Sequence, residues 1–143
     1  MEAGFVLLTK ATEVNPTSFS STFGLGLTQY HLGMTKEAVE SFRRATNLYA
    51  KSPDAFIWLG KALKRVSILN EAEITFKRAN ELAKGKSAEV HWQLAGLYHE
   101  QARYKEAADE FELFLKVQPH STDAEKIREL IRQLREKAAK AQS

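Results

Sequence analysis

The side chains of this chain that could perform metal chemistry are a few histidines and their acidic neighbours. His99-Glu100 begins the zincin pattern, in which two histidines four residues apart hold zinc, but Arg103 stands where the second histidine belongs. His91 precedes His99 by eight residues, so the two are too far apart along a helix to bind the same metal ion. We therefore expect one packed and one surface histidine, and no metal site.

Glycine and serine patterns give no stronger catalytic signal. Gly24-Leu25-Gly26 matches the beginning of a dinucleotide-binding loop, but Gln29 replaces the third glycine and no strand is predicted before it. The serines do not occur in a Gly-x-Ser-x-Gly elbow, which holds a nucleophile at a strand-to-helix turn. We predict that the chain is not an enzyme and that it uses no cofactor.

A repeated pattern of small and aromatic residues organises the chain. Three Glu-Ala pairs recur at intervals of 34 and then 35 residues, each with a phenylalanine four residues after the alanine and a small residue twelve before it. A period in this range is typical of stacked helical hairpins, which form a common core only together. The small, alanine and phenylalanine positions are Gly26, Ala38 and Phe42, then Gly60, Ala72 and Phe76, then Ala95, Ala107 and Phe111.

This pattern resembles the tetratricopeptide repeat, a 34-residue helix–turn–helix unit, over residues 19–121. The resemblance implies an all-α fold, a right-handed α-solenoid of such helical pairs with a C-terminal capping helix. We predict a single domain over residues 1–143. Its expected parts are an N-terminal half-repeat at 1–18, repeats at 19–52, 53–87 and 88–121, and the capping helix at 122–143.

Turn and capping residues follow the same register. Ser52, which precedes a proline, is predicted to open a first helix. Thr35 and Asn70 are predicted N-caps of second helices, and Thr122 with Glu125 is predicted to form a capping box.

The turn inside each unit varies in sequence. Gly33 occupies it in the first unit, whereas Ser67 and Ala102 stand there in the later units. The one extra residue between the second and third units is placed near Gly85, which suits the C-terminal end of a helix.

Composition and charge exclude several other classes of protein. The 143 residues carry a net charge of +3, and no apolar run approaches the roughly 20 residues of a membrane helix. Residues 122–139 mix basic and acidic side chains, which favours a solvated cap over a membrane-surface helix. Since no signal peptide is recognisable, we predict a cytoplasmic protein.

The resemblance implies a concave groove lined by the first helix of each unit. We predict a protein–protein interaction module that binds a peptide segment there, with an apolar anchor near Phe23 and Leu27 and an acidic group at Lys61 and Arg65. For Ile57, packing in the core is an equally good interpretation. The predicted groove residues are Phe23, Leu27, Tyr30 and His31, then Ile57, Lys61, Lys64 and Arg65, then Trp92 and His99.

Co-chaperones of this family clamp the carboxylates of acidic tails with lysines, asparagines and an arginine. Lys61 and Arg65 have the spacing of the last cationic pair of that clamp, but Leu27 stands at an asparagine position. The full clamp is therefore absent, although the pair can hold a single carboxylate.

Three other interpretations remain open at this stage. The chain could be a structural segment of a larger scaffold that assembles through its ends. Lys61, Lys64 and Arg65 could contact phosphates of a nucleic acid, but the acidic third unit argues against a continuous basic track. Phe5 and Leu8 of the half-repeat could join two copies in a homodimer.

Overall fold

The computed structural model describes residues 18–142, and these form α-helices without a strand. The predicted all-α class is therefore confirmed for this range. The half-repeat, with Phe5 and Leu8, lies outside the described residues, so its pairing and the predicted homodimer stay predictions. The helices are α1 Phe19–His31, α2 Thr35–Leu48, α3 Pro53–Arg65, α4 Leu69–Leu82, α5 Ala88–Glu100, α6 Tyr104–Val117 and α7 Ala124–Ala141.

The helices group into two compact units. In the first unit, which extends to Leu82, α1 packs on α2 and α3 packs on α4, while α3 also contacts α1 and α2. Two helical hairpins are thus stacked. In the second unit, from Ala83 onward, α6 packs against both α5 and α7. A third hairpin is therefore followed by a single helix, while the division into one domain with numbered repeats stays a prediction.

Each hairpin of the first unit is held by a glycine against a phenylalanine. Phe42 and Phe76 are fully buried. A Cβ atom built on Gly26 would lie 2.6 Å from Cε1 of Phe42, and one on Gly60 would lie 2.6 Å from Cε1 of Phe76. Because real Cβ atoms do not approach ring carbons so closely, these positions require glycine if the rings keep their places.

The first helix of each hairpin begins with a serine cap. The hydroxyl oxygens of Ser18, Ser52 and Ser87 accept hydrogen bonds from backbone N–H groups three residues later. Each bond satisfies one of the unpaired donors of the first turn. The predicted opening of a helix at Ser52 is therefore confirmed.

The capping predictions for the other helices are wrong. Thr35 is the first residue of α2, and Asn70 lies inside α4, which begins at Leu69. The N-cap of α7 is Asp123, whose side chain makes no capping bond, so Thr122 and Glu125 do not form the predicted box.

The tight turns explain why α2 and α6 begin without a side-chain capping bond. Gly33, Ser67 and Ala102 share a left-handed backbone conformation, with φ of 82°, 66° and 58°. The N–H group of the next residue then donates to a carbonyl five residues earlier, as Met34 does to Gln29 at 2.8 Å. This Schellman-type closure ends one helix, and the carbonyl of Met34 begins the next by accepting from Ala38.

Helix α7 covers the apolar side of α6 as predicted. Ile127, Ile131 and Leu134 are buried, and Leu130 is half-buried. At the edge of this contact, Arg135 bonds both Asp109 and Glu112 of α6 at 2.8 Å. The opposite side of α7 carries charged residues that pair along the helix, which is the polar face that a terminal helix needs.

Candidate functional site

The facing sides of α1 and α3 bring together five aromatic and cationic side chains. We call Tyr30, His31, Trp58, Lys61 and Arg65 the aromatic–cation cluster. Tyr30 and His31 lie in the last turn of α1, whereas the other three lie on one face of α3 at spacings of three and four residues. Residues spaced in this way are neighbours on a helix surface, so the cluster follows from helical geometry and the α1–α3 contact.

Trp58 is the centre of the cluster. Its ring meets that of Tyr30 edge-to-face, with centroids 5.2 Å apart, and that of His31 at 5.7 Å. The Nζ atom of Lys61 lies 4.0 Å from the centroid of the Trp58 ring. An ammonium group over an indole face is attracted by the ring quadrupole, so Trp58 holds the charge of Lys61 at this surface.

Arg65 is held by Tyr30 in two ways. Its Cζ atom lies 3.7 Å from the centroid of the Tyr30 ring, and its Nη1 donates to the backbone carbonyl of Tyr30 at 3.3 Å. Stacking on an aromatic face and hydrogen bonding at the edge both suit a planar guanidinium. The exposed Arg65 side chain is therefore oriented before any ligand is present.

No carboxylate of residues 18–142 pairs with Arg65. Most other arginines in this range form an ion pair with an aspartate or glutamate, as Arg43 does with Glu71 and Arg135 with Asp109. Arg78, Arg103, Arg128 and Arg132 are paired in the same manner. Arg65 thus presents an oriented positive charge that the described part of the chain leaves available.

The remaining predicted groove residues of the first unit lie around this cluster with different exposures. The Leu27 carbonyl accepts a hydrogen bond of 2.8 Å from Nδ1 of His31, which fixes the His31 ring. Lys64 is half-buried. Ile57 is only 7% exposed and belongs to the core, so it offers little surface to a ligand.

Phe23 belongs to a neighbouring aromatic group. Its ring stacks on Phe19 at 5.6 Å and meets Phe42 at 5.8 Å. Phe42 also contacts Trp58, at a centroid distance of 6.4 Å. Phe42 therefore joins the half-buried Phe23 to the cluster through the core of the first hairpin.

The predicted site residues of the second unit are Trp92 and His99. Trp92 is 44% exposed and contacts the rings of Phe111 and Phe114 at 5.6 and 5.3 Å. His99 is exposed, and its ring lies 6.3 Å from that of Tyr104. Trp92 thus combines an anchored ring with an accessible surface.

His91 has a structural position, as predicted for one of the two histidines. It is 2% exposed, with Nδ1 3.0 Å from the Glu110 carboxylate and Nε2 3.0 Å from the Gly85 carbonyl. These bonds tie the loop before α5 to both helices of the hairpin. Gly85, where the extra residue was placed, has a φ of 73° in that loop.

Trp58 is the cluster residue that sequence reasoning missed. The family positions carried over to α3 included Ile57 but not Trp58. A usable signal was present, because Trp58 lies three residues before Lys61 and seven before Arg65 and so shares their helical face. A large aromatic beside two cations is typical of interaction surfaces.

Residues 18–142 contain no group of three or more His, Cys, Asp or Glu side chains that could hold a metal ion. None of the helices described is both long and apolar enough to span a bilayer.

Stacked helical hairpins closed by small-residue contacts define a helical-repeat protein of the solenoid class. The family model described as tetratricopeptide repeat matches residues 21–52, and a second model of the same description matches residues 88–121. The chain belongs to the tetratricopeptide repeat family. A search of curated proteins found no match to this sequence.

Solved structures share the fold at low sequence identity. The crystal structure of MamA is 20% identical, with a TM-score of 0.80 over 95% of this chain and 85% of that chain. YrrB, described as a TPR protein with an unusual peptide-binding site, is 23% identical, with a TM-score of 0.75 over 96% and 75% of the two chains. These similarities confirm the predicted all-α array of tetratricopeptide-type helical pairs.

A third similar structure contains a bound peptide. It is the type III secretion chaperone SycD of Yersinia enterocolitica in complex with a peptide of the translocator YopD. This chaperone is 14% identical, with a TM-score of 0.75 over 83% of this chain and 93% of that chain.

Proposed function

We propose that this protein is a protein–protein interaction module that binds a peptide segment of a partner at the face built by α1 and α3. The observation that carries the proposal is Arg65, which is oriented by Tyr30 and has no carboxylate partner within residues 18–142. A cation held in this way is suited to an acidic group supplied from outside.

The aromatic side chains beside the cations supply the second requirement of an interaction surface. Trp58 and Tyr30 are half-buried rings with fixed neighbours, so a ligand that covers them orders few additional rotamers. Tryptophan, tyrosine and arginine are the residue types most enriched among energetically dominant interface residues. The expected apolar anchor lies near Phe23 and Leu27 on the same helix, α1.

The similar structures agree with this general function. SycD binds a peptide of YopD, and YrrB is described as having a peptide-binding site. The fold by itself does not determine a ligand, so the proposal for this chain depends on the aromatic–cation cluster. We assign no reaction to the protein.

The partner chemistry we propose is an acidic segment with an apolar residue. Trp92, an exposed and anchored ring in the second unit, is proposed as a further contact. Nucleic acid is disfavoured because stacked arginine and lysine at one point do not form the extended phosphate-binding track that such ligands need.

Selection from a random peptide display library tests the proposal. We expect the protein to select peptides with a common pattern and to bind them measurably by isothermal titration calorimetry. The variant Lys61→Ala/Arg65→Ala should bind the selected peptides at least tenfold more weakly. It should remain folded, since the loss of two surface cation–π contacts costs only about 1–2 kcal/mol.

The matched control is Lys51→Gln, an exposed charge in the loop before α3. It should bind the peptides as the unaltered protein does. Full-strength binding by the Lys61→Ala/Arg65→Ala variant would place the ligand on another surface, and failure to select any peptide would contradict the function itself.

A further inference from the structure

We infer that Tyr30 is the positioning residue that makes Arg65 prefer a planar carboxylate over an amide of the same shape at one position of a bound peptide. This inference rests on the proposed peptide-binding function and specifies its ligand. It assigns a role to the Tyr30 ring that differs from simple hydrophobic contact.

The first step concerns the donors that Arg65 has left. A guanidinium carries five N–H groups in one plane. One of its faces is covered by the Tyr30 ring at 3.7 Å, and Nη1 already donates to the Tyr30 carbonyl. Four N–H groups remain, which is enough to donate two parallel hydrogen bonds to one ligand group.

The second step concerns the shape of the ligand group. A carboxylate is planar and accepts two parallel N–H bonds from a guanidinium edge. An amide of the same shape offers only one acceptor oxygen and places an N–H₂ donor against the second N–H group. The cluster should therefore discriminate strongly between glutamate and glutamine at one peptide position.

The third step concerns the surroundings of that edge. Lys61, held over Trp58 at 4.0 Å, adds a second positive charge on the same face of α3. Trp58 is half-buried and packed against Tyr30 and His31, so the ring that holds Lys61 is itself fixed. Two cations on one helix face attract an anionic group more strongly than a neutral group of the same shape.

The fourth step concerns Tyr30 itself. Without its ring, Arg65 would retain its charge but lose the face that holds the guanidinium plane in one orientation. General attraction to acidic peptides would then remain, whereas the preference for a planar carboxylate would fall. Tyr30→Phe keeps the ring and is the conservative variant, while Tyr30→Leu removes the aromatic face. Arg65→Lys keeps the charge but removes the planar fork.

The test uses one peptide selected from the random library and three versions of it, synthesised with glutamate, glutamine or phosphoserine at the acidic position. The Kd of each version is measured by calorimetry for the unaltered full chain, Tyr30→Phe, Tyr30→Leu, Arg65→Lys and the control Lys51→Gln. Circular dichroism checks that each variant remains helical. The measured quantity is the ratio of the glutamine Kd to the glutamate Kd, which a general loss of stability would not change.

We expect this ratio to be about tenfold or more for the unaltered protein, Tyr30→Phe and Lys51→Gln, since charge-assisted bidentate bonds are strong. It should fall to about twofold for Tyr30→Leu and Arg65→Lys. An unchanged ratio in either of those two variants would overturn the inference, as would tighter binding of the phosphoserine version. Selected peptides that lack an acidic position would overturn it while leaving the proposed function in place. Failure to select any peptide would remove both.

Discussion

Gly60 and Phe76 meet so closely that the hairpin of α3 and α4 has no room for a methyl group between them. A Cβ on Gly60 would lie 2.6 Å from Cε1 of the fully buried Phe76 ring. The equivalent pair, Gly26 and Phe42, repeats the contact in the preceding hairpin at the same distance. This contact sets the separation of α3, which carries Trp58, Lys61 and Arg65, from α4.

The Gly60–Phe76 contact predicts a specific pattern of stabilities. Gly60→Ala should lower the free energy of unfolding by about 1–3 kcal/mol, the usual cost of overpacking a core. Phe76→Leu alone should also be destabilising, because it shortens a buried side chain. In the double variant the added methyl group occupies space vacated by the ring, so its cost should be smaller than the sum of the two. Strict additivity in urea unfolding would show that the two residues do not constrain each other.

The left-handed turns predict stabilising substitutions. Ser67 and Ala102 hold φ of 66° and 58°, which is unfavourable for residues with a Cβ. Ser67→Gly and Ala102→Gly should each raise the free energy of unfolding by about 0.5–1 kcal/mol after the entropy that glycine adds to the unfolded chain.

Gly33→Ala is the matched reverse change for these turns. No atom lies within 4 Å of a Cβ built on Gly33, so its expected destabilisation of about 1 kcal/mol arises from the backbone alone. Thermal melts that rank glycine below serine and alanine at these turns would contradict the conformational explanation.

The two histidines of α5 should differ in their contribution to stability. His91→Phe removes the two ring nitrogens that bond the Glu110 carboxylate and the Gly85 carbonyl. It should lower the free energy of unfolding by about 1–3 kcal/mol. His99→Phe changes an exposed side chain and should remain within about 0.5 kcal/mol. Equal effects of the two substitutions in chemical denaturation would mean that the His91 bonds do not stabilise the fold.

The contact between α6 and α7 should weaken in acid. Partial burial raises the pKa of Asp109, but the hydrogen bonds and charges of Arg135 and Lys105 outweigh it, so the pKa lies below its ordinary value. A carboxyl whose folded-state pKa is lowered stabilises the protein above its unfolded pKa, and this contribution is lost as the pH falls through the folded-state pKa. Asp109→Asn should therefore destabilise the protein at neutral pH, by an amount that shrinks below a pH of about 4.

The double variant is the control for this acid effect. In an Arg135→Ala background, Asp109→Asn should have a smaller effect at neutral pH, since one of the two cationic partners is gone. A pH-independent effect of Asp109→Asn would show that the ion pair contributes nothing measurable.

The repeat pattern was sufficient to predict the helical pairs but not their beginnings. Ala38, Ala72 and Ala107 are fully buried at the predicted spacing, because close helix packing demands small residues at a fixed period. Thr35 and Asn70 were wrong as caps because the start of the second helix is set by a backbone closure across the turn. That closure depends on a positive φ at Gly33 and at Ser67. Glycine is typical of this conformation, but serine does not indicate it.

The candidate site was predictable in part for a similar reason. Tyr30, Lys61 and Arg65 follow from the positions that the family directs toward its groove. The role of Trp58 depends on its contact with Tyr30, which lies on another helix and 28 residues earlier in the chain. The periodicity of either helix does not reveal such a contact, and the stacking of Arg65 on Tyr30 is likewise a tertiary contact that only the folded structure shows.

Nuclear magnetic resonance mapping of a bound peptide tests the central claim most directly. The ¹⁵N-labelled protein would be titrated with a peptide selected from the random library, and amide and indole shifts would be followed. We expect the largest changes at the Trp58 indole N–H and at the backbone amides of Tyr30, Lys61 and Arg65. Largest changes on α2, α4 or α7 with an unmoved Trp58 indole would contradict peptide binding at the aromatic–cation cluster.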